Sequence, residues 1–401
     1  MTETTSNDAM SEALRQWMQQ LAPLLPQVIE WRRELHAHPE LSGQEQETSR
    51  RLSEWLSGMG LEIHHFQDCC GLMAVLRNGP GRCVAIRAEM DALPIQEPEG
   101  LPFASRNAGV MHACGHDVHM AFALGSALWF TQHRDRWQGT LKWLFEPMEE
   151  TYGGGRLMTA QGCMENPAVD VVIGQHVNPR YAAGTFFCRP GCVSGSSDDL
   201  RLTIRGKSCH GAYPESGTDA IVIAAQVIGA LQTLVSRSIS PFDPAALTFG
   251  TIQGGTANNI VCGEVAMRGT LRTLSQQTRE ALHLRMSRTA EGIAQAMGGS
   301  AELTIRPSYG AVYNDEGCYA VVENCALRLL GRDRVIRREA PSLGVESFCY
   351  FLQRTPGVYY DIGSGIGTAL HTPTFLVDES VLGCGTALQC AAALALLQGA
   401  P

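Results

Sequence analysis

The chain has 401 residues, a formal net charge of -9, an apolar share of 44% and a charged share of 18%. At roughly 100–200 residues per domain this is enough for more than one core. The acidic balance and the lack of a Lys/Arg-rich run argue against a nucleic-acid partner. No uninterrupted apolar run approaches the roughly 20 residues of a membrane span, and Met1–Asp8 has no basic start and no apolar core of a secretory signal, so the expected location is the cytoplasm.

Residues 10–60 are expected to be helical. Trp17, Leu21, Leu24 and Leu25, then Ile29 and Arg32–Leu35, keep helical spacing; Pro39 ends that stretch, and Glu45–Leu56 begins another. Short strands and helices then alternate: a strand-like run Cys83–Ala88, an apolar helix His119–Thr131, and strands Thr140–Phe145 and Val171–Ile173. This order predicts an α/β layer structure with a largely parallel sheet. Near Gly195 the pattern changes. Leu200, Leu202 and Ile204 alternate with polar neighbours, as in a strand with one wet face. Helix Asp219–Val235, strands Ala246–Ile252 and Glu264–Leu271, helix Gln276–Met297 and strand Ala301–Pro307 complete a β-α-β-β-α-β order, the split-βαβ pattern. After Tyr313 the α/β pattern returns with helix Cys318–Leu330, strand Val358–Ile362 and helix Glu379–Leu397. The expected organisation is a discontinuous catalytic domain, 1–194 and 308–401, with a second domain, 195–307, inserted in it. The 14 cysteines do not form the framework of a small disulfide-stapled fold, and those in apolar runs, such as Cys83, Cys349 and Cys390, read as buried thiols.

Metal-ligand side chains concentrate in four segments at expected strand ends or loops, where open α/β sheets build their sites. These are His112-Ala113-Cys114-Gly115-His116-Asp117, Glu149-Glu150, His176, and His371 in Leu370-His371-Thr372-Pro373. A lone histidine or a Glu-Glu pair is a weak signal. Cys114 and His116, two residues apart, are a stronger one, because both can meet one metal or bridge two. Together the segments supply one thiolate, one or two carboxylates and three imidazoles, a set suited to zinc, manganese, cobalt or nickel and unlike the all-oxygen cages of calcium or magnesium.

The chain resembles peptidase family M20, in the branch of hippurate hydrolases, indole-3-acetyl-amino-acid hydrolases and N-acetyl-diaminopimelate deacetylases. The likeness runs from Trp31-Arg32-Arg33-Glu34-Leu35-His36 through RAEMDALPIQE, GVMHACGHD, FEPMEE, GQHV, GKSCHGAYP, GGTANNI and GTLRT to LHTPTFLVDE. It implies a three-layer α/β/α catalytic domain, an inserted ferredoxin-like lid that mediates dimers, and two divalent metal ions held by Cys114, His116, Glu150, His176 and His371. Glu149 would be the general base. His210, in Gly206-Lys207-Ser208-Cys209-His210-Gly211, would reach the partner subunit's site and stabilise the oxyanion, which makes a homodimer the expected state. Asn259 matches a substrate-contacting position of the lid. Arg272 would support the substrate carboxylate, or form a surface ion pair. Glu346 would line the pocket. Asp91 would steady a ligating histidine from behind, or serve as a turn residue before Pro94.

Charge supports these roles. Two dications carry +4, and the Cys114 thiolate, Glu150 and a bridging hydroxide return about -3, leaving a centre that favours an anionic substrate and an oxyanion. Departures from the family pattern are Glu89 and Ser347, each where Asp is usual, Glu146 for Gln, Met148 for Ala and Cys262 for Pro. None removes an implied ligand, and Glu146 adds a carboxylate that would disfavour very acidic substrates if it faced the site. The expected activity is metal-dependent hydrolysis of small N-acyl amino acids, with acetyl, benzoyl or similar groups. A dipeptidase, with Glu346 holding a free amino group, and a non-catalytic metal-binding protein are the alternatives. A metal store would need neither Glu149 nor His210.

Overall fold

The computed structural model describes residues 11–365 and 367–399; Met1–Asp8 lies outside them. The chain divides into two compact units. One comprises the described residues up to Val193, Tyr313–Ala340 and those from Ser347 on; the other comprises Ser194–Val312 and Pro341–Glu346.

The first unit is built on an eight-stranded sheet in the order Glu62–His65, Leu72–Asn78, Gly139–Glu146, Cys83–Glu89, Val171–Asn178, Gly357–Gly363, Phe186–Cys188, Val335–Arg337. The four central strands, from Gly139–Glu146 to Gly357–Gly363, run parallel. Gly139–Glu146, Cys83–Glu89 and Gly357–Gly363 are buried at every position, so both faces of the sheet are covered. Leu72–Asn78 pairs antiparallel to Gly139–Glu146, and Glu62–His65 antiparallel to Leu72–Asn78. The expected parallel sheet is therefore the middle of a mixed one. Helices His116–Gln132 and Val381–Leu397 are apolar nearly all round and form the centre of the core with Phe122, Trp129, Phe130 and Leu388. Cys83, Cys349 and Cys390 are buried in this unit.

The second unit is a four-stranded antiparallel sheet in the order Ala245–Gly254, Glu264–Thr273, Ser196–Arg205, Ser300–Pro307. Along Ser196–Arg205, Leu200, Leu202 and Ile204 are buried while Arg201 and Arg205 are exposed, which is the alternation visible in the sequence. Helices Ala220–Arg237 and Gln276–Ala296 cover the apolar face through Ile223, Val227, Leu231, Leu282 and Met286. Ala220–Arg237 is long and apolar enough to cross a membrane by length and composition. Its capping residue Asp219 accepts from the N–H groups of Ile221 and Val222, and its buried stripe packs on the sheet.

Candidate metal centre

Parallel strands end together, and their carboxyl ends bring distant residues to one place. Cys83–Glu89 leads to Asp91, Gly139–Glu146 leads to Glu149 and Glu150, and Val171–Asn178 carries His176 near its end. Cys114 and His116 flank Gly115 at the start of the His116–Gln132 helix. Gly115 takes φ +88°, and a Cβ there would lie 2.3 Å from Val177 Cγ2, so only glycine fits. The His371 N–H donates to the Ala113 carbonyl at 2.8 Å and the residue takes φ +60°. That bond pins the late loop against the early one.

Cys114, His116, Glu150, His176 and His371 converge. Cys114 Sγ lies 3.4 Å from His176 Nε2 and 3.3 Å from His371 Nε2, and His371 Nε2 lies 3.2 Å from Glu150 Oε1. Donor atoms of Cys114, His116 and Glu150 fall within 4.8 Å of one another. His116 Nδ1–H donates to the Asp91 carbonyl at 2.8 Å, and His176 Nδ1–H to the Val177 carbonyl at 2.7 Å. Each bond turns Nε2 toward the cluster. His116 Nε2 is buried and has no hydrogen-bond partner. A buried lone pair left in this way is costly, and a divalent cation between the thiol, the imidazoles and the carboxylate would satisfy it. The residues present fit such an ion.

The surrounding charges hold the cluster in place. The Asp91 carboxylate accepts from Ser42 Oγ at 2.7 Å and from the Glu150 N–H at 3.0 Å, and lies 3.3 Å from His116 Nδ1. Burial raises the Asp91 carboxyl, but His116 and Ser42 outweigh it and hold it below its usual value. Hydrogen bonding to Glu150 raises His371. Burial pushes the Cys114 thiol well up in the cation-free protein, so binding a cation there must expel its proton. Glu149 Oε1 accepts from the Ser347 N–H at 3.3 Å.

Several further groups support the site. His119 is buried, donates from Nδ1 to Glu89 at 2.8 Å and accepts at Nε2 from the Val177 N–H at 2.9 Å. Glu89, His116, His119 and His176 lie together, yet both ring nitrogens of His119 are committed, so it offers a cation nothing. Asp117 binds His36 at 2.8 Å and Arg32 at 2.9 Å, a structural ion cluster, while His112 is buried and pushed down to about 3 by burial. Glu146 does not add a bare charge to the site; it is buried and paired with Arg87 at 2.6 Å. Ser42 gave no sequence signal, because its partner Asp91 lies 49 residues away, and the role of Arg87, which opens RAEMDALPIQE, shows only once Glu146 and Ser347, 59 and 260 residues away, arrive beside it.

In the second unit, His210 and Asn259 are neighbours. His210 pairs with Ile260 across a short two-stranded ladder, and the Gly211 N–H donates to the Asn259 carbonyl at 2.7 Å. His210 is exposed, and its Nδ1 accepts from the Ala212 N–H at 3.1 Å, which leaves Nε2–H as a donor. Arg272 lies on Glu264–Thr273 opposite Ala246 and Ser197, and Glu346 is buried.

The fold and this cluster define a metallohydrolase, and the chain belongs to peptidase family M20/M25/M40, whose model matches residues 85–395. It is 35% identical over 381 residues, 95% of this chain and 90% of the relative, to N-acetyl-L-cysteine deacetylase of Bacillus subtilis. It is 43% identical over 293 residues, 72% of this chain and 79% of the relative, to N-acyl-L-amino acid amidohydrolase of Geobacillus stearothermophilus. The crystal structure of the Bacillus subtilis YXEP protein, a dinuclear metal-binding peptidase from the M20 family, matches at a TM-score of 0.82 and 33% identity, covering 94% of this chain and 99% of that one.

Proposed function

We propose that the chain hydrolyses the amide bond of small N-acyl amino acids, releasing a carboxylic acid and a free amino acid. The observation that carries this reading is the convergence of thiol, imidazole and carboxylate donors with a second carboxylate, Glu149, next to them in the chain. Glu150 joins the Cys114, His116, His176 and His371 cluster, whereas Glu149 makes its bond to the Ser347 N–H. Cys114, His116, Glu150, His176 and His371 would hold a pair of divalent cations, zinc, manganese, cobalt or nickel. When bound, the pair supplies Lewis-acid polarisation of the amide carbonyl and lowers the pKa of water.

The chain's own groups do the rest. Glu149 takes a proton from the attacking water and delivers it to the amine nitrogen as the C–N bond breaks. Asp91 orients His116 through its carbonyl and holds the Glu150 backbone through its carboxylate. The Nε2–H of His210 donates to the oxyanion, with Asn259 beside it and Arg272 on the substrate carboxylate. His210 acts on the second subunit of a homodimer. The named activities of the deacetylase and amidohydrolase relatives support the substrate class.

The test is a panel of N-acyl amino acids and unblocked dipeptides, assayed on enzyme reconstituted with each of the four metals. Turnover of acetyl or benzoyl amino acids is the expected result. Turnover of dipeptides alone would replace the reading with a dipeptidase, and light scattering that shows only an active monomer would remove the role given to His210.

A further inference from the structure

Arg87 lies within the Cys83–Glu89 strand and is 1% exposed. A guanidinium cannot shed its charge when buried, so it must be surrounded by acceptors. Its Nε donates to Glu146 Oε2 at 2.6 Å, Nη1 donates to Glu89 Oε1, and Nη2 donates to Ser347 Oγ at 2.7 Å. Glu89, Glu146 and Ser347 are all fully buried. The fold thus gathers two carboxylates and a hydroxyl on one side chain.

Each partner leads onward by one further bond. Glu89 holds His119 at 2.8 Å, and His119 holds the Val177 N–H at 2.9 Å, next to His176. Glu146 Oε1 accepts from the Gly155 N–H at 2.5 Å, so the segment that carries Glu149 and Glu150 is closed at both ends on one carboxylate residue. Ser347, anchored to Arg87 through its hydroxyl, donates its N–H to Glu149 Oε1 at 3.3 Å.

We propose that Arg87 is a positioning residue for the hydrolysis: through Ser347 it fixes the carboxylate of Glu149, and through Glu89 and His119 it fixes the end of the strand that carries His176, without touching substrate. A corollary concerns charge. Two carboxylates share the one guanidinium, and a third placed at position 347 would face Glu89, Glu146 and Glu149 at once. Removing the charge of Glu146 relieves that crowding, because two carboxylates then again share the one guanidinium. The inference rests on Glu149 being the base.

The experiment uses four full-length, metal-loaded proteins besides the wild type: Ser347→Ala, Ser347→Asp, Glu146→Gln and the double variant Glu146→Gln/Ser347→Asp. Metal content, thermal unfolding, kcat and KM are measured on each with the best N-acyl amino acid. Ser347→Ala should lower kcat about tenfold with KM nearly unchanged, the signature of a misplaced base and not of lost substrate binding. Ser347→Asp should be worse, and the double variant should return to within about threefold of wild type, a strong positive coupling. The melting temperatures of the four proteins should show the same non-additivity. Wild-type kcat in Ser347→Ala, or effects of Glu146→Gln and Ser347→Asp that simply multiply, would overturn the proposal. If wild-type protein turned over no N-acyl amino acid, the amidohydrolase reading would fail. Additive melting temperatures would then overturn the guanidinium hub independently.

Discussion

Glu45 lies buried beneath Met148, whose N–H it accepts at 2.8 Å while Met148 holds φ +57°. Positive φ in a residue with a side chain is strained, so this carboxylate holds the turn that delivers Glu149 and Glu150. Burial raises Glu45 from 4.5 to about 7. Below the unfolded value both states keep the proton and nothing is lost. Between 4.5 and about 7 the unfolded chain releases it while the folded chain retains it, so stability falls as pH rises, and above that window the whole cost is present. Glu45→Gln keeps an acceptor for Met148 and removes the cost. It should be more stable than wild type by on the order of 3 kcal/mol at about pH 8 and equally stable at about pH 4. Urea unfolding of both proteins across this range reads the difference, and a gap that stayed constant with pH would refute the assignment.

Glu149 and Glu150 provide a second contrast. Glu149→Gln keeps the acceptor for the Ser347 N–H and removes the basic carboxylate. It should lower kcat by about 10²–10⁴-fold and leave metal content near that of wild type. Glu150→Gln should instead lose metal, because its charge stands beside His371 in the cluster. Elemental analysis with steady-state kinetics separates the two, and full turnover in Glu149→Gln would end the case for a base at that position.

The sequence shows what is local and repeats. Leu200, Leu202 and Ile204 display their wet-faced strand, and the apolar runs at Cys83–Ala88 and Thr140–Phe145 display strands buried on both faces. Direction is not local. Leu72–Asn78 has a buried run like those of the parallel strands, yet both its partners, Glu62–His65 and Gly139–Glu146, lie antiparallel to it. The site divides in the same way. Cys114 and His116 stand two residues apart and announce themselves, as do the paired glutamates. His119 sits on an apolar helix like any core residue, and its partners Glu89 and Val177 lie 30 and 58 residues away. Arg87 looks like a stray charge in a buried strand until Glu146 and Ser347 arrive beside it.

Gly115 carries two separate constraints, and one substitution tests both. Gly115→Ala must hold φ +88° with a side chain and must place Cβ against Val177. The expected loss is about 2–4 kcal/mol, together with weaker zinc binding, because Cys114 and His116 flank the residue. Adding Val177→Ala removes the clash and leaves the backbone strain, so the double variant should recover part of the loss. Thermal unfolding of the three proteins measures the coupling, and Gly115→Ala with wild-type stability would show that the turn relaxes.

Chelation provides the last prediction. Without a cation, burial holds the Cys114 thiol protonated and the contact with Glu150 raises His371. A divalent ion requires the thiolate and the neutral imidazole, so binding must release protons, and affinity must rise with pH until those groups have titrated. Chelated protein should therefore be inactive, should regain activity with added zinc, manganese, cobalt or nickel, and should be stabilised by about 2.7 kcal/mol at a hundredfold excess of metal over its Kd. Calorimetric zinc titrations in two buffers of different ionisation enthalpy count the released protons. Cys114→Ser should bind zinc more weakly and release fewer of them. Equal proton release by the two proteins would mean that the sulfur of Cys114 is not a ligand.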